Sequence, residues 1–482
     1  MNTEREGERE QKLSQSFDEQ HKLFRIANDD NTDKETLEKL ATSESEIIRG
    51  AIAYNKNTPE ASIERLLKDK SNHVRSVLRK RGFKVANNLT ICLAGKNNIA
   101  VNGLNLLVKK YNQFDICFLP NPTDNGLDGW QASLKRLGNE LKIKETTIEE
   151  LYEIEELLFL SLEYSELINT TKFKSKKLFN IHFSLLPEYK GMYTSALPII
   201  NGEEYSGVTL HKIDDGIDTG EIIEQIKFNI EPDDTARDLY FKYLENSFVL
   251  FQNNLDNLIN DTYKTIEQPA SQSTYFSKKS IDYKNININF FKTAFEIKNQ
   301  FRAFTFREFQ MPTFENWEIY KTEIVNVRSK IKPGIKIFEN EEFFIVSTID
   351  YNIKLFKDYY KLFWSYCENG DYENLSSIIH KIPNINLPNV KNWTAIIIAT
   401  YNGHLNIVKS LTKFGADINS TNKNGTTLLM YALSYFQRTQ DSEIFEFLLE
   451  SGSDSNSKDK NNKSLKDYII QNNCEQLLKH LD

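Results

Sequence analysis

The stretch Asn180-Ile181-His182-Phe183-Ser184-Leu185-Leu186-Pro187-Glu188-Tyr189-Lys190-Gly191 decides the reading of this chain, together with Ser206-Gly207-Val208-Thr209-Leu210-His211-Lys212-Ile213-Asp214-Asp215-Gly216-Ile217-Asp218-Thr219-Gly220 after a short helical interval. Asn180 and His182 stand two apart, so on a strand their side chains share one face. Asp218 closes a second segment that reads as strand plus tight turn. A neutral imidazole can take a proton, a carboxylate can hold it in one tautomer, and an amide N–H can stabilise a developing oxyanion. Such a trio needs no Ser or Cys nucleophile if the substrate supplies an amine. Each residue alone has an ordinary structural role, closing a strand or capping a turn; the constellation points to chemistry. His182 is expected to stand apart, with no other histidine in a comparable polar cluster.

Outward from this stretch, apolar runs alternate with helical patterns. Leu89 to Gly95, Phe114 to Pro120 and Leu157 to Leu162 read as buried strands, with helices expected over 98–110 and 130–138. Strand–helix alternation predicts a doubly wound parallel sheet, with ligands beyond the carboxyl ends of the strands. Ala94-Gly95-Lys96-Asn97-Asn98 lies at such an end but is neither a dinucleotide loop nor a P-loop. Lys96 and Asn97 are either ordinary turn residues or contacts to a substrate phosphate. Residues 233–260 form an amphipathic helix whose stripe, from Leu239 to Phe251, is core packing.

At 180–220 the residues resemble a known family. Asn-x-His-x-Ser-Leu-Leu-Pro-x-Tyr-Lys-Gly, then Gly-Val-Thr and Asp-x-Gly-x-Asp-Thr-Gly, is similar to the formyltransferases that use N10-formyltetrahydrofolate. The resemblance implies a Rossmann-like α/β core, with Asn180, His182 and Asp218 as the catalytic set. It implies that Ser161, Leu162, Glu163 and Tyr164 offer backbone groups to the pterin, with the loop that holds Asp215 closing over it. It also implies that Lys190, Met192 and Tyr193 face the amino substrate, with no metal required. Thr274 to Lys279 resembles the family's linker into its carboxyl-terminal part. Gln300-Phe301-Arg302-Ala303-Phe304 is similar to a segment near the substrate in the sugar-modifying branch. There Arg302 with Phe304 or Phe306 would bind a pyrophosphate and stack a base, or else serve as a surface Arg and two core Phe.

Composition narrows the options. The chain has 482 residues, 39% hydrophobic and 12% aromatic, enough for several cores. A net charge of -8 argues against nucleic acid as the main partner. Four scattered cysteines, Cys92, Cys117, Cys367 and Cys474, suggest neither a disulfide framework nor a zinc site. No signal peptide or transmembrane helix is expected, and a cytoplasmic setting fits.

Both ends carry repeats. Ile26-Ala27-Asn28 recurs as Ile52-Ala53-Tyr54, and Ile48-Arg49 as Val74-Arg75, a period of 26 residues. This resembles the leucine-rich repeat variant, whose units pair an α-helix with a 3₁₀ helix; the alternative is an ordinary helical cap. No cysteine precedes Cys92, so no iron–sulfur cluster is expected. Near the other end, Asn392-Trp393-Thr394-Ala395 and Gly425-Thr426-Thr427-Leu428 are 33 residues apart, with Gly403-His404-Leu405 between. That pattern resembles about three ankyrin repeats, with caps over 363–379 and 464–481. Trp393 falls at an exposed turn position, a candidate for a second nucleotide-sugar site or for packing against the enzyme domain or the dimer mate.

The expected division is a helical repeat segment 1–83, a catalytic domain 84–270, a β-hairpin-rich subdomain 271–358 forming a homodimer contact, and ankyrin repeats 359–482. An acidic chain that ends in ankyrin repeats fits the sugar branch better than the tRNA branch, which needs a basic surface. The expected activity is formyl transfer from N10-formyltetrahydrofolate to a dTDP-linked 3- or 4-amino deoxysugar, for O-antigen synthesis. The alternatives are a methionyl-tRNA formyltransferase and a non-enzymatic repeat scaffold with a degenerate core.

Overall fold

The computed structural model describes residues 19–69, 71–83, 89–111 and 114–481. The expected boundary between 83 and 84 falls at the edge of residues outside that set. Nine strands occupy the region of the motif: β1 (Thr90–Gly95), β2 (Asp115–Pro120), β3 (Lys144–Glu145), β4 (Leu157–Leu162), β5 (Lys177–His182), β6 (Lys190–Gly191), β7 (Tyr205–Lys212), β8 (Ile222–Asn229) and β9 (Tyr275–Phe276). Seven of them form one sheet in the order β3-β2-β1-β4-β5-β7-β8, while β6 pairs with β9. The expected α/β class with a parallel sheet is present from β3 to β5. The last two strands add an antiparallel edge: β7 runs against both β5 and β8.

The sheet is buried on both faces, which is why β4 reads as the unbroken apolar run Leu157-Leu158-Phe159-Leu160-Ser161-Leu162. Ile91, Leu93, Leu158, Leu160, Phe179 and Ile181 pack against the helices Asn97–Lys110 and Ala236–Asn260. Cys92, Ala94, Leu157, Phe159 and Leu178 point the other way, onto Leu151 and Phe173. Each fully buried Leu or Phe here stabilises the fold by about 1.5–3 kcal/mol relative to exposure. Asn180 and His182 share the face of Leu178, just beyond this second core, so strand alternation alone delivers them to the carboxyl rim. Gly95 lets β1 end tightly against β4, since a Cβ there would sit 1.9 Å from the Leu162 carbonyl oxygen.

The helix expected from 130 starts only at Leu134. Ser133 caps it by accepting the Arg136 N–H, while Asp128 and Asp124 accept the amides of Ser133 and Lys135. Trp130 to Ala132 are therefore held as loop.

A second sheet follows: β10 (Thr313–Phe314), β11 (Trp317–Arg328), β12 (Lys336–Glu339), β13 (Phe343–Val346) and β14 (Tyr351–Lys357), in the order β10-β11-β14-β13-β12. The two short segments expected over 317–327 are one strand, its register shifts absorbing the interruption. Helix Ala294–Phe304 covers one face, burying Ile297 and Phe301 against Phe344, Ile353 and Leu355.

The repeats frame this core. Helices Lys34–Leu40 and Glu60–Leu66 start 26 residues apart, as do Glu46–Tyr54 and Asn72–Lys80, so the period is real. Each unit holds two α-helices, where the resemblance implied an α-helix with a 3₁₀ helix. The Asn55 side chain donates to the carbonyls of Ala27 and Asp29, stitching one unit to the next. Helix pairs of the ankyrin type run from Tyr360 to Glu450, among them Ala395–Asn402 with Leu405–Lys413. Gly403 takes φ +87° between those two helices, the left-handed turn that glycine favours. Among the described residues, no helix is long and apolar enough to cross a membrane.

Candidate active site

The antiparallel pairing of β5 with β7 sets Asn180 opposite His211 and His182 opposite Thr209. The chain then returns through a turn that carries Asp218 at φ +54°. Two contacts hold that turn. The Gly191 N–H donates to Asp218 Oδ2 at 2.9 Å, and Gln268 Nε2 donates to the carbonyls of Asp218 and Gly220 at 2.9 and 2.7 Å. The result is a carboxylate between two imidazoles: His182 Nδ1 lies 3.4 Å from Asp218 Oδ2, and His211 Nε2 lies 3.6 Å from Oδ1. Asn180 Nδ2 is 3.1 Å from His211 Nε2. The three groups singled out in the sequence do meet.

The expectation that no second histidine joins them is corrected: His211 is part of the cluster and almost wholly buried. Burial pushes its pKa down to about 4, although the Asp218 charge pulls the other way, so the ring is neutral near pH 7. The available signal was Thr209-x-His211, which repeats the two-residue alternation of Asn180-x-His182 on the neighbouring strand.

The rest of the motif builds the loop over His182. Thr209 Oγ1 donates to the Ser184 carbonyl and accepts the Leu186 N–H, and Ser184 Oγ donates to the Glu188 carbonyl. Tyr189 takes φ +56°, and its hydroxyl donates to Glu203. Its carbonyl therefore sits 2.8 Å from His182 Nε2. A carbonyl only accepts, so Nε2 carries a hydrogen, and the nitrogen left to take a proton when the ring is neutral is Nδ1, turned toward Asp218. Tautomer control thus falls to a backbone carbonyl, where the residue types suggested the carboxylate.

At the end of β4, Ser161 is buried in register with Asn180, and the Leu162 carbonyl accepts the Lys96 N–H at 3.3 Å. Tyr164 is half-buried against the second core. Asp215 is exposed and accepts from Thr170. Glu163, at φ +59°, turns its carboxylate inward. It accepts Tyr240 Oη–H at 2.9 Å and Asn97 Nδ2–H at 3.2 Å, and Gln131 Nε2 donates to Tyr240 Oη at 2.7 Å. Burial raises its pKa to about 7, against those hydrogen bonds and the Lys96 charge. Beside this network opens a cleft of about 290 Å³ lined by Lys96, Asn97, Asp124, Trp130 and Gln131. The Trp130 ring meets Tyr240 at 5.8 Å and Phe306 at 5.5 Å. Trp130, Gln131 and Tyr240 went unremarked as site residues in the sequence, because aromatic and amide side chains at that spacing carry no signature.

Lys190 is buried in the β6–β9 pair, and Met192 is exposed beside it. Tyr193 packs edge-on to Tyr283 at 5.2 Å, and Tyr283 meets Phe304 at 6.1 Å, so Tyr193 and Phe304 belong to one aromatic row. Arg302 does not join it. Its guanidinium donates to the carbonyls of Glu231 and Asp234, both at 3.1 Å, tying the end of helix Ala294–Phe304 to the turn that precedes helix Ala236–Asn260. Trp393 lies far along the chain in the ankyrin repeats. It is half-buried, not exposed, with its ring against Tyr401 at 5.2 Å and Tyr431 at 5.1 Å. Among the described residues, no group of three or more His, Cys, Asp or Glu could hold a metal ion.

Comparison with known proteins accords with this geometry. Residues 131–253 match the formyl transferase family model, and residues 363–459 match a model of three ankyrin repeats. A crystal structure of WlaRD, a sugar 3N-formyl transferase with dTDP and 5-N-formyl-THF, is 47% identical, covering 56% of this chain and 98% of that one at a TM-score of 0.53. This chain belongs to the formyltransferase family. A second solved structure, the N-formyltransferase from Helicobacter canadensis in complex with folinic acid and dTDP-3-aminofucose, is 46% identical over 56% of this formyltransferase and 100% of its own chain, at a TM-score of 0.52. The methionyl-tRNA formyltransferase of Clostridium tetani is 32% identical over 33% of this chain, which spans only 51% of that protein's length.

Proposed function

We propose that this formyltransferase transfers the formyl group of N10-formyltetrahydrofolate to the amine of a nucleotide-linked, specifically dTDP-linked, 3- or 4-amino deoxysugar, in the cytoplasm and for surface polysaccharide such as O-antigen. The observation that carries this reading is the extent of the likeness to WlaRD: 47% identity across 98% of an enzyme that acts on a sugar. The tRNA relative in Clostridium tetani aligns over half its length at 32%, and the net charge of -8 suits a small acceptor better than a polyanion. A methionyl-tRNA acceptor is the second reading, and it is favoured by another relative, in Malacoplasma penetrans, that matches over 87% of its length at 28% identity.

The folate supplies the formyl carbon; the chain supplies geometry and proton movement. The attacking amine must be neutral, and His182 Nδ1 takes its proton. Asp218, facing that nitrogen, stabilises the imidazolium so formed, which returns the proton to N10 as the C–N10 bond breaks and tetrahydrofolate leaves. The Asn180 amide offers an N–H to the oxyanion, a contribution of about 2.7–4 kcal/mol for one donor elsewhere. The end of β4, from Ser161 to Tyr164, and the Asp215 loop form the folate side. Asn97 and its cleft, with Lys190, Met192, Tyr193 and Phe304, form the acceptor side. Arg302, held by its bonds to the carbonyls of Glu231 and Asp234, is the pyrophosphate contact of this reading.

Two further assignments belong to this reading. The homodimer contact lies on the β10–β14 sheet, whose uncovered face carries a row from Phe338 through Phe343 and Phe356 to Tyr320, with centroids 5.8–6.2 Å apart. Trp393 with Tyr401 and Tyr431 forms a second nucleotide-sugar site. In the same reading the chain divides at residues 83, 270 and 358.

The test is incubation of the protein with formyltetrahydrofolate, a panel of dTDP-amino sugars and charged initiator tRNA, with mass detection of a formyl gain. Formylated sugar and unmodified tRNA are the expected result. His182→Asn and Asp218→Asn should keep the circular dichroism spectrum and lose turnover by orders of magnitude. A near-normal rate in both variants would refute the assignment.

A further inference from the structure

His211 is a second imidazole beside Asp218 that the proposed proton movement does not use. We infer that His211 is a positioning residue: as a hydrogen-bond acceptor it selects which way round the Asn180 amide sits. The inference rests on the formyl-transfer reading for its consequence, and on the geometry and burial of the His211 ring for the arrangement.

An asparagine amide can be turned over, exchanging its acceptor oxygen for its NH₂ group, with little change in shape. Only the hydrogen bonds around it decide the orientation. His211 Nδ1 lies 2.7 Å from the Lys212 carbonyl oxygen, which can only accept, so Nδ1 carries a hydrogen. The ring is buried and neutral, so Nε2 presents a lone pair and nothing else. The Asn180 terminal atom 3.1 Å from that lone pair must therefore be the nitrogen. Turned over, the amide oxygen would face the imidazole lone pair with no hydrogen between them. Asp218 Oδ1, 3.6 Å from the same nitrogen, adds a negative charge that repels the oxygen further.

The consequence lies with the second hydrogen of the amide. One N–H is committed to His211, and among the described residues the other has no protein partner. It is the donor that the oxyanion requires. With the acceptor at 211 removed, the amide samples both orientations, and in one of them it turns its oxygen toward developing negative charge. The antiparallel register makes the device possible, because Asn180 and His211 are direct cross-strand neighbours.

The test compares His211→Phe, which keeps ring volume without an acceptor, with His211→Gln, whose amide oxygen restores one near the position of Nε2. Against the best dTDP-amino sugar, His211→Phe should lower kcat about 10- to 100-fold, approaching the loss seen when an oxyanion donor is deleted. KM for both substrates should stay within about twofold, and His211→Gln should recover most of the rate. Equal losses in both variants, or a rate within twofold of wild type in His211→Phe, overturn the inference. A second readout needs no activity: ¹⁵N-histidine NMR of the wild-type protein at pH 6–8 should show His211 neutral with the proton on Nδ1. A proton on Nε2, or a charged ring, overturns the inference even if both variants lose activity. If the NMR result holds but wild type formylates no acceptor, the functional reading fails while the arrangement stands.

Discussion

Glu163→Gln should stabilise the protein, by an amount that grows with pH. The Glu163 carboxyl sits against Tyr240 and Asn97, and burial lifts its pKa from the ordinary 4.5 to about 7. In the unfolded chain the group loses its proton near 4.5; in the folded chain it keeps it until about 7. Between these values the folded state holds the extra proton, so stability falls as pH rises, and above about 7 the full penalty is in place. A shift of that size corresponds to roughly 3 kcal/mol, or about 2–3 kcal/mol once the residual contact of a half-buried residue with water is discounted. Glutamine has the same shape, accepts from Tyr240, and never ionises. The advantage of the variant over wild type should therefore be about 2–3 kcal/mol larger at pH 8 than at pH 4, roughly 4–12 °C in the unfolding midpoint of a domain this size. Differential scanning calorimetry of both proteins across that range gives the difference directly. A gap that does not change with pH, or that narrows as pH rises, would show that the Glu163 carboxyl is solvated and ionised in the folded protein.

Arg75→Ala should loosen the amino-terminal repeats from the sheet: the buried guanidinium donates to the Asp69 carbonyl and lies 3.3 Å from Glu156, just before β4. The expected loss is about 2 kcal/mol in urea unfolding, below the usual figure for a broken buried pair because Glu156 can rehydrate; a loss under about 0.5 kcal/mol would make that contact incidental. In the ankyrin repeats, calorimetric titration with dTDP should count two sites per chain in wild type and one in Trp393→Ala, with the catalytic rate unchanged. One site in both proteins would remove the second site.

Local spacing accounts for what was readable in the chain. Asn180 and His182 share a face because strand side chains alternate, and that rule needs no partner strand. The 26- and 33-residue periods survive as helix starts and as the Gly403 turn, because each repeat is a local unit. Long-range pairing decided the rest. His211 enters the cluster only because β7 runs antiparallel to β5 in one particular register. The Tyr189 carbonyl sets the His182 tautomer only because the loop folds back over the strand end, and backbone groups leave no mark in a sequence. Glu163 is a charged residue in any composition count, and becomes a half-ionised acid near neutral pH only when the fold buries it, beside a Tyr240 that lies 77 residues away in the chain. Alternation and period are properties of neighbours along the chain, whereas tautomer, protonation and amide orientation depend on groups that only the folded sheet brings within hydrogen-bonding distance.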